Sequence, residues 1–148
     1  MSREETDLRA SLRTLAAQPG GRRLLQLALR SLESGDHELV SGCWTSRGDA
    51  GCLFQHAYWQ GVTEGVFADD GRARAWVSGV AGPRGYHLVI DVIAAFDGLA
   101  RAEYALERRR FGPPVLDRAA WRATVAAMLV EVLSSGPAVS TTAELVTV

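Results

Sequence analysis

Leu88, Val92, Ala95, Leu99, Ala102 and Leu106 recur at alternating spacings of four and three residues, the repeat that lines one side of an α-helix. Val89, Ile93, Phe96 and Ala100 form a second apolar row beside them. A helix apolar over so much of its circumference must be buried against other elements. The pattern therefore predicts a long central helix over 86–110 and an all-α domain packed around it.

The flanking sequence supplies the other helices. Ser2 followed by Glu5 resembles a capping box, in which side chains satisfy the unpaired amides of a first turn, and Leu8, Leu12 and Leu15 continue at helical spacing. Pro19-Gly20-Gly21 reads as a break, after which Leu24, Leu25, Ala28, Leu29 and Leu32 mark a second amphipathic helix ending near Gly35. A third helix is expected from about Cys52, with Leu53, Phe54, Ala57, Tyr58, Val62 and Val66 on its apolar face. Gly61 and Gly65, one turn apart, offer a surface for close backbone packing or for self-association. Arg72–Val80 reads as a short helix, Gly82-Pro83-Arg84-Gly85 as a turn, and Asp117 as the N-cap of a last helix carrying Trp121, Val125, Met128 and Val132. The expected architecture is a single-domain bundle of about five helices over 1–135, with a long loop at 36–51 and a mobile tail at 136–148.

A chain of 148 residues buries roughly 68–70% of its unfolded surface, so neither a metal nor a disulfide is required merely to fold it. All 16 basic residues are Arg, there is no Lys or Asn, and Ile occurs only at positions 90 and 93, a bias expected of a GC-rich bacterial gene. A net charge of -1 argues against a general nucleic-acid binder, which carries a basic face. The acidic start, Met-Ser-Arg-Glu-Glu-Thr-Asp, lacks the apolar core of a signal peptide, and no apolar run approaches the roughly 18 residues of a membrane span. The expected location is the cytoplasm, where two cysteines are thiols or ligands rather than a structural disulfide.

Chemistry concentrates in one segment. His37, Cys43, Cys52 and His56 fall within twenty residues, and four N and S donors could hold a tetrahedral zinc ion, with iron a second choice. The spacing matches no common zinc framework. Cys52 and His56 stand at i and i+4 on the third helix, so both project from one face, and Trp59 continues that stripe. Four ligands would make a closed structural site, whereas three would leave room for water and for a base such as Glu38 or Glu64. Cys52 near a helix start, assisted by His56, could instead act as a thiol nucleophile, and Cys43 and Cys52 could form a redox pair. The plainer alternative makes the cysteines small buried hydrophobes and His56 a hydrogen-bonded boundary residue. Trp44 and Trp59 are candidates for contact with a ligand or partner, as is Arg84 through the Gly-rich turn that holds it. His87, the Arg108–Arg110 run, Asp69-Asp70-Gly71 and Arg47-Gly48-Asp49 read as surface, charge patch, turn and coincidence.

The leading expectation is thus a small cytoplasmic binding or regulatory protein, its 37–59 segment organised by zinc and contacting a partner protein. The alternatives are a small enzyme using a three-ligand metal or the Cys52/His56 thiol, and a metal-free helical interaction protein.

Overall fold

In a computed structural model, described for residues 2–41, 50–69, 71–80, 82–104 and 118–135, the chain forms six α-helices. They are α1 (Arg3–Ala16), α2 (Pro19–Ser34), α3 (Leu53–Thr63), α4 (Arg72–Ser78), α5 (Gly82–Leu99) and α6 (Arg118–Ser134). One π-helical stretch, Ala100–Tyr104, continues α5, and two short strands, β1 (Glu38–Leu39) and β2 (Ala50–Gly51), lie between α2 and α3. The expected N-cap Asp117, the far end of the expected long helix at 105–110, and the tail at 136–148 lie outside the described residues.

Helix α1 begins as its sequence requires: the Ser2 hydroxyl accepts the Glu5 amide at 3.1 Å, which satisfies one of the four amides that a helix start leaves unpaired. Its buried row Leu8, Leu12 and Leu15 meets α5 along one side, while α2 packs on α3 and α6. One core cluster draws side chains from all six helices, including Leu24, Phe54, Val77, Val92 and Trp121. Helix α5 contributes Leu88, Val89, Val92, Phe96 and Leu99, and the Phe96 ring lies 4.8 Å from that of Trp121. Its outer face is different: Tyr86 and Ile90 are exposed.

Two expected breaks are helix starts. Pro19 stands in the first turn of α2 and Pro83 in the first turn of α5, where a missing N–H costs nothing because those amides have no intrahelical acceptor. Arg84 therefore lies on the first turn of α5 and is exposed there, rather than in a loop. Gly21 is needed for contact, not for flexibility. A Cβ there would stand 2.2 Å from the Leu15 carbonyl oxygen and 2.6 Å from Leu15 Cδ1, so α2 can abut the end of α1 only through a bare Cα. Gly21→Ala is expected to destabilise the protein by about 2 kcal/mol through overpacking. Gly98→Ala, where a Cβ meets nothing within 4 Å, is expected to stabilise by up to about 1 kcal/mol through helix propensity. Urea midpoints of the two variants check this, and equal shifts would refute the contact argument.

The Gly61/Gly65 pair does not form a packing surface for another backbone. A Cβ on Gly61 would lie 2.1 Å from the Phe67 ring, so that ring already occupies the bare face. Gly65 follows the helix end at φ 74°, the left-handed conformation that glycine adopts without strain. The amides of Val66 and Phe67 both donate to the Gly61 carbonyl, at 2.7 and 3.1 Å. The spacing encodes a helix end that folds an aromatic ring back.

The segment expected as a plain loop at 36–51 is closed at its stem. Strands β1 and β2 pair in parallel, Glu38 with Ala50 and Leu39 with Gly51, and the Val40 amide donates to the Gly51 carbonyl at 3.0 Å. Residues 42–49, with Cys43 and Trp44, lie outside the described residues. No helix among the described residues is long and apolar enough to cross a membrane.

Candidate functional site: a histidine and tryptophan cluster that grips a strand

His56 stands in the first turns of α3 and is fully buried. Its Nδ1 lies 2.8 Å from the Ser31 hydroxyl, and its Nε2 lies 2.8 Å from the Glu38 carbonyl oxygen. A carbonyl only accepts, so Nε2 must carry the proton, and in the neutral ring Nδ1 accepts from the Ser31 hydroxyl. Both nitrogens are engaged, and the lowered pKa keeps the imidazole neutral at pH 7. Burial pushes its pKa down to about 4; nearby Arg122 and His37 act in the same direction, and the bond to Glu38 opposes them. Removing a cation from water is the dominant cost, because imidazolium would sit in an apolar interior.

Trp59, one turn further along α3, completes the cluster. The His37 ring stacks on its indole at 3.9 Å and 19°, while His56 meets it edge-on at 5.3 Å and 82°. The two histidine rings lie 6.2 Å apart at 80°. Glycine again permits the approach: a Cβ on Gly51 would come within 2.9 Å of the Trp59 ring and 2.6 Å of Gln55 Cγ. His37 Nδ1 is buried and makes no hydrogen bond among the described residues.

Arg122 reaches the same strand from α6. Its Nη1 donates to the His37 carbonyl at 2.5 Å, its Nη2 to the Leu32 carbonyl at 2.7 Å, and its Nε also to Leu32 at 3.1 Å. A longer bond of 3.4 Å runs from Nη2 to the Ser31 carbonyl. The guanidinium thus caps the last turn of α2, where unpaired carbonyls and the negative end of the helix dipole favour a cation. Burial lowers its pKa and Glu38 opposes that shift, but guanidinium stays charged in proteins. Consecutive carbonyls, that of His37 just before β1 and that of Glu38 in β1, are consequently held by α6 and α3.

Among the residues expected to carry chemistry, the structure brings His37, His56 and Trp59 together, with Cys52 immediately before α3. The Cys52 carbonyl accepts the His56 amide at 3.0 Å and its side chain is buried. A nucleophilic thiol needs access to solvent or substrate, and Cys52 lacks it. Coordination of a metal at His56 would require Ser31 or Glu38 to be displaced. Among the described residues no three His, Cys, Asp or Glu side chains are gathered as a metal would need. Glu64, a candidate base, is instead bonded to Arg30 at 2.6 and 3.0 Å and to Gln60 at 2.8 Å; the Arg30 bond holds its carboxyl below the usual range.

Ser31 and Arg122 were not among the expected site residues. Ser31 carried a readable signal: it lies one turn after Ala28 on the core face of α2 and is the polar residue in an apolar row. Arg122 gave none, since its partners lie 85 to 91 residues away. Comparison of the chain with protein-family models, with curated proteins and with solved structures finds no match in any of the three.

Proposed function

We propose that this protein is a small cytoplasmic helical binding protein whose 37–59 segment contacts a partner protein and is organised by side chains rather than by a metal. The observation that carries this reading is the full engagement of His56, with Ser31 on Nδ1 and the Glu38 carbonyl on Nε2. A zinc ligand needs a lone pair on one ring nitrogen, and a general base needs the same lone pair for a substrate proton. His56 offers neither while it holds the strand. The buried Cys52 thiol and the Arg30-bound Glu64 add support for binding over catalysis.

Metal analysis of the purified, untagged chain tests the reading, on wild type and Cys52→Ser, together with melting in the presence of a chelator. The expected result is substoichiometric zinc and iron in both proteins and a melting temperature that the chelator leaves unchanged. One zinc per chain, lost in Cys52→Ser and accompanied by unfolding on chelation, would overturn it in favour of a zinc-organised segment.

A further inference from the structure

The outer face of α5 turns apolar and charged side chains to solvent together. Tyr86 and Ile90 are 46% and 42% exposed, and Arg84, His87 and Asp91 beside them are exposed as well. We propose that this face binds a second copy of the chain, the two α5 helices lying antiparallel about a two-fold axis near Leu88.

The charges select both the occupant and its direction. Arg84 and Asp91 lie two turns apart on one side of this face, and neither forms an ion pair among the described residues. At 1.5 Å per residue, about 10.5 Å of helix separates them, too far for one chain to pair them. About a two-fold axis, positions at similar distances before and after Leu88 stand opposite each other, and each flank of the helix meets the same flank of its copy. Arg84 then meets Asp91 of the second copy, and Asp91 meets its Arg84. A parallel pair would instead set Arg84 against Arg84 and Asp91 against Asp91, which like-charge repulsion opposes.

The apolar residues follow the same symmetry. Tyr86 and Ile90 stand two residues before and two after Leu88, so each tyrosine ring packs on the isoleucine of the other copy. His87 braces that ring, meeting it edge-on at 5.9 Å and 72°. At the ends of the overlap Gly82 faces Ala94, both exposed, and their small size lets the backbones approach. One pair of helix faces buries less than the roughly 1,200 Å² at which stable interfaces begin, so the dimer is expected to be weak, with a dissociation constant in the micromolar range. This face shares no residue with the 37–59 segment, and its failure would leave the partner-binding reading untouched.

Sedimentation velocity of the full chain, from about 1 μM to about 1 mM, tests the proposal on wild type, Arg84→Asp, Asp91→Arg, the doubly substituted chain and Ile90→Ser. Circular dichroism verifies that each variant remains helical. The expected result is a monomer–dimer equilibrium for wild type. Arg84→Asp and Asp91→Arg are each expected to weaken it by about tenfold or more, since two attractive contacts become two repulsive ones. Making both exchanges in one chain is expected to restore the dimer, and an equimolar mixture of the two single variants to associate more tightly than either alone, because each offers the charge that the other lacks. Ile90→Ser is expected to weaken association in every charge background. Three results would each overturn the proposal: a wild type that stays monomeric throughout, a dimer that either single charge variant leaves unchanged, or a mixture that associates no better than its components.

Discussion

Exchanging Arg122 for methionine is expected to lower the free energy of unfolding by about 3 kcal/mol, since buried acceptors that lose a partner cost roughly 1–3 kcal/mol each. Methionine keeps most of the apolar stem, so the change isolates the guanidinium rather than opening a large cavity. What it strands is specific. The Leu32 carbonyl loses both of its bonds to Arg122 and the His37 carbonyl loses its own, whereas the Ser31 carbonyl keeps the Ser34 hydroxyl at 2.7 Å. The end of α2 also loses the cation that complements its dipole. Arg122→Lys restores the charge without the fork, and one ammonium cannot span carbonyls on both the helix end and the strand, so it is expected to recover less than half of the loss. Urea unfolding with an unchanged slope would assign the effect to the native state rather than to a more compact unfolded chain. A methionine variant within about 0.5 kcal/mol of wild type, the range of ordinary surface substitutions, would show that water replaces the guanidinium at no cost. Arg122 would then be a surface residue that happens to lie near the strand.

Why Arg122 escaped the sequence while α1 and α5 did not follows from how each is encoded. The rows Leu8-Leu12-Leu15 and Leu88-Val92-Leu99 repeat along one local axis, and burial along that axis is what organises the helices. The grip on β1 has no period. It joins residues of α2, α3, α6 and one strand, and two of its acceptors are backbone carbonyls that any residue supplies. The i, i+4 spacing sets Cys52 at the N-cap of α3 and His56 one turn later, yet the chemistry of an imidazole depends on what lies opposite each nitrogen. Here Ser31 and the Glu38 carbonyl lie there. The glycines show the same limit: Pro19-Gly20-Gly21 reads as punctuation, but Gly21 is a contact surface whose partner, the Leu15 carbonyl, becomes visible only when α1 and α2 are packed.

The same imidazole makes stability depend on acid. In the unfolded chain His56 takes up a proton near its ordinary pKa of 6.5, whereas in the folded protein it resists until about 4. Between those values the unfolded state binds more protons, so stability falls as pH falls through that window. Each unit costs up to about 1.4 kcal/mol, or about 3 kcal/mol across the window. Below pH 4 the folded histidine protonates as well, and its contribution to the slope disappears. Above pH 6.5 both states are neutral at this site and it contributes no slope. The hydrogen bonds are not what resists the proton, because the Ser31 hydroxyl can turn and accept from a protonated Nδ1. Resistance comes first from burying the cation, and the Arg122 guanidinium adds repulsion. Carboxylates add their own acid dependence, among them Glu64, whose stabilising pair with Arg30 is lost as pH falls through its lowered pKa. His56→Gln separates the two contributions. Glutamine is expected to donate its amide to the Glu38 carbonyl, lowering stability modestly at pH 7, but it cannot titrate. Urea midpoints measured from pH 7.5 to pH 4 are therefore expected to converge as the wild type loses its advantage. If the curves for the two proteins stay parallel, His56 takes its proton as readily folded as unfolded. The buried, doubly bonded imidazole would then not be what holds the strand.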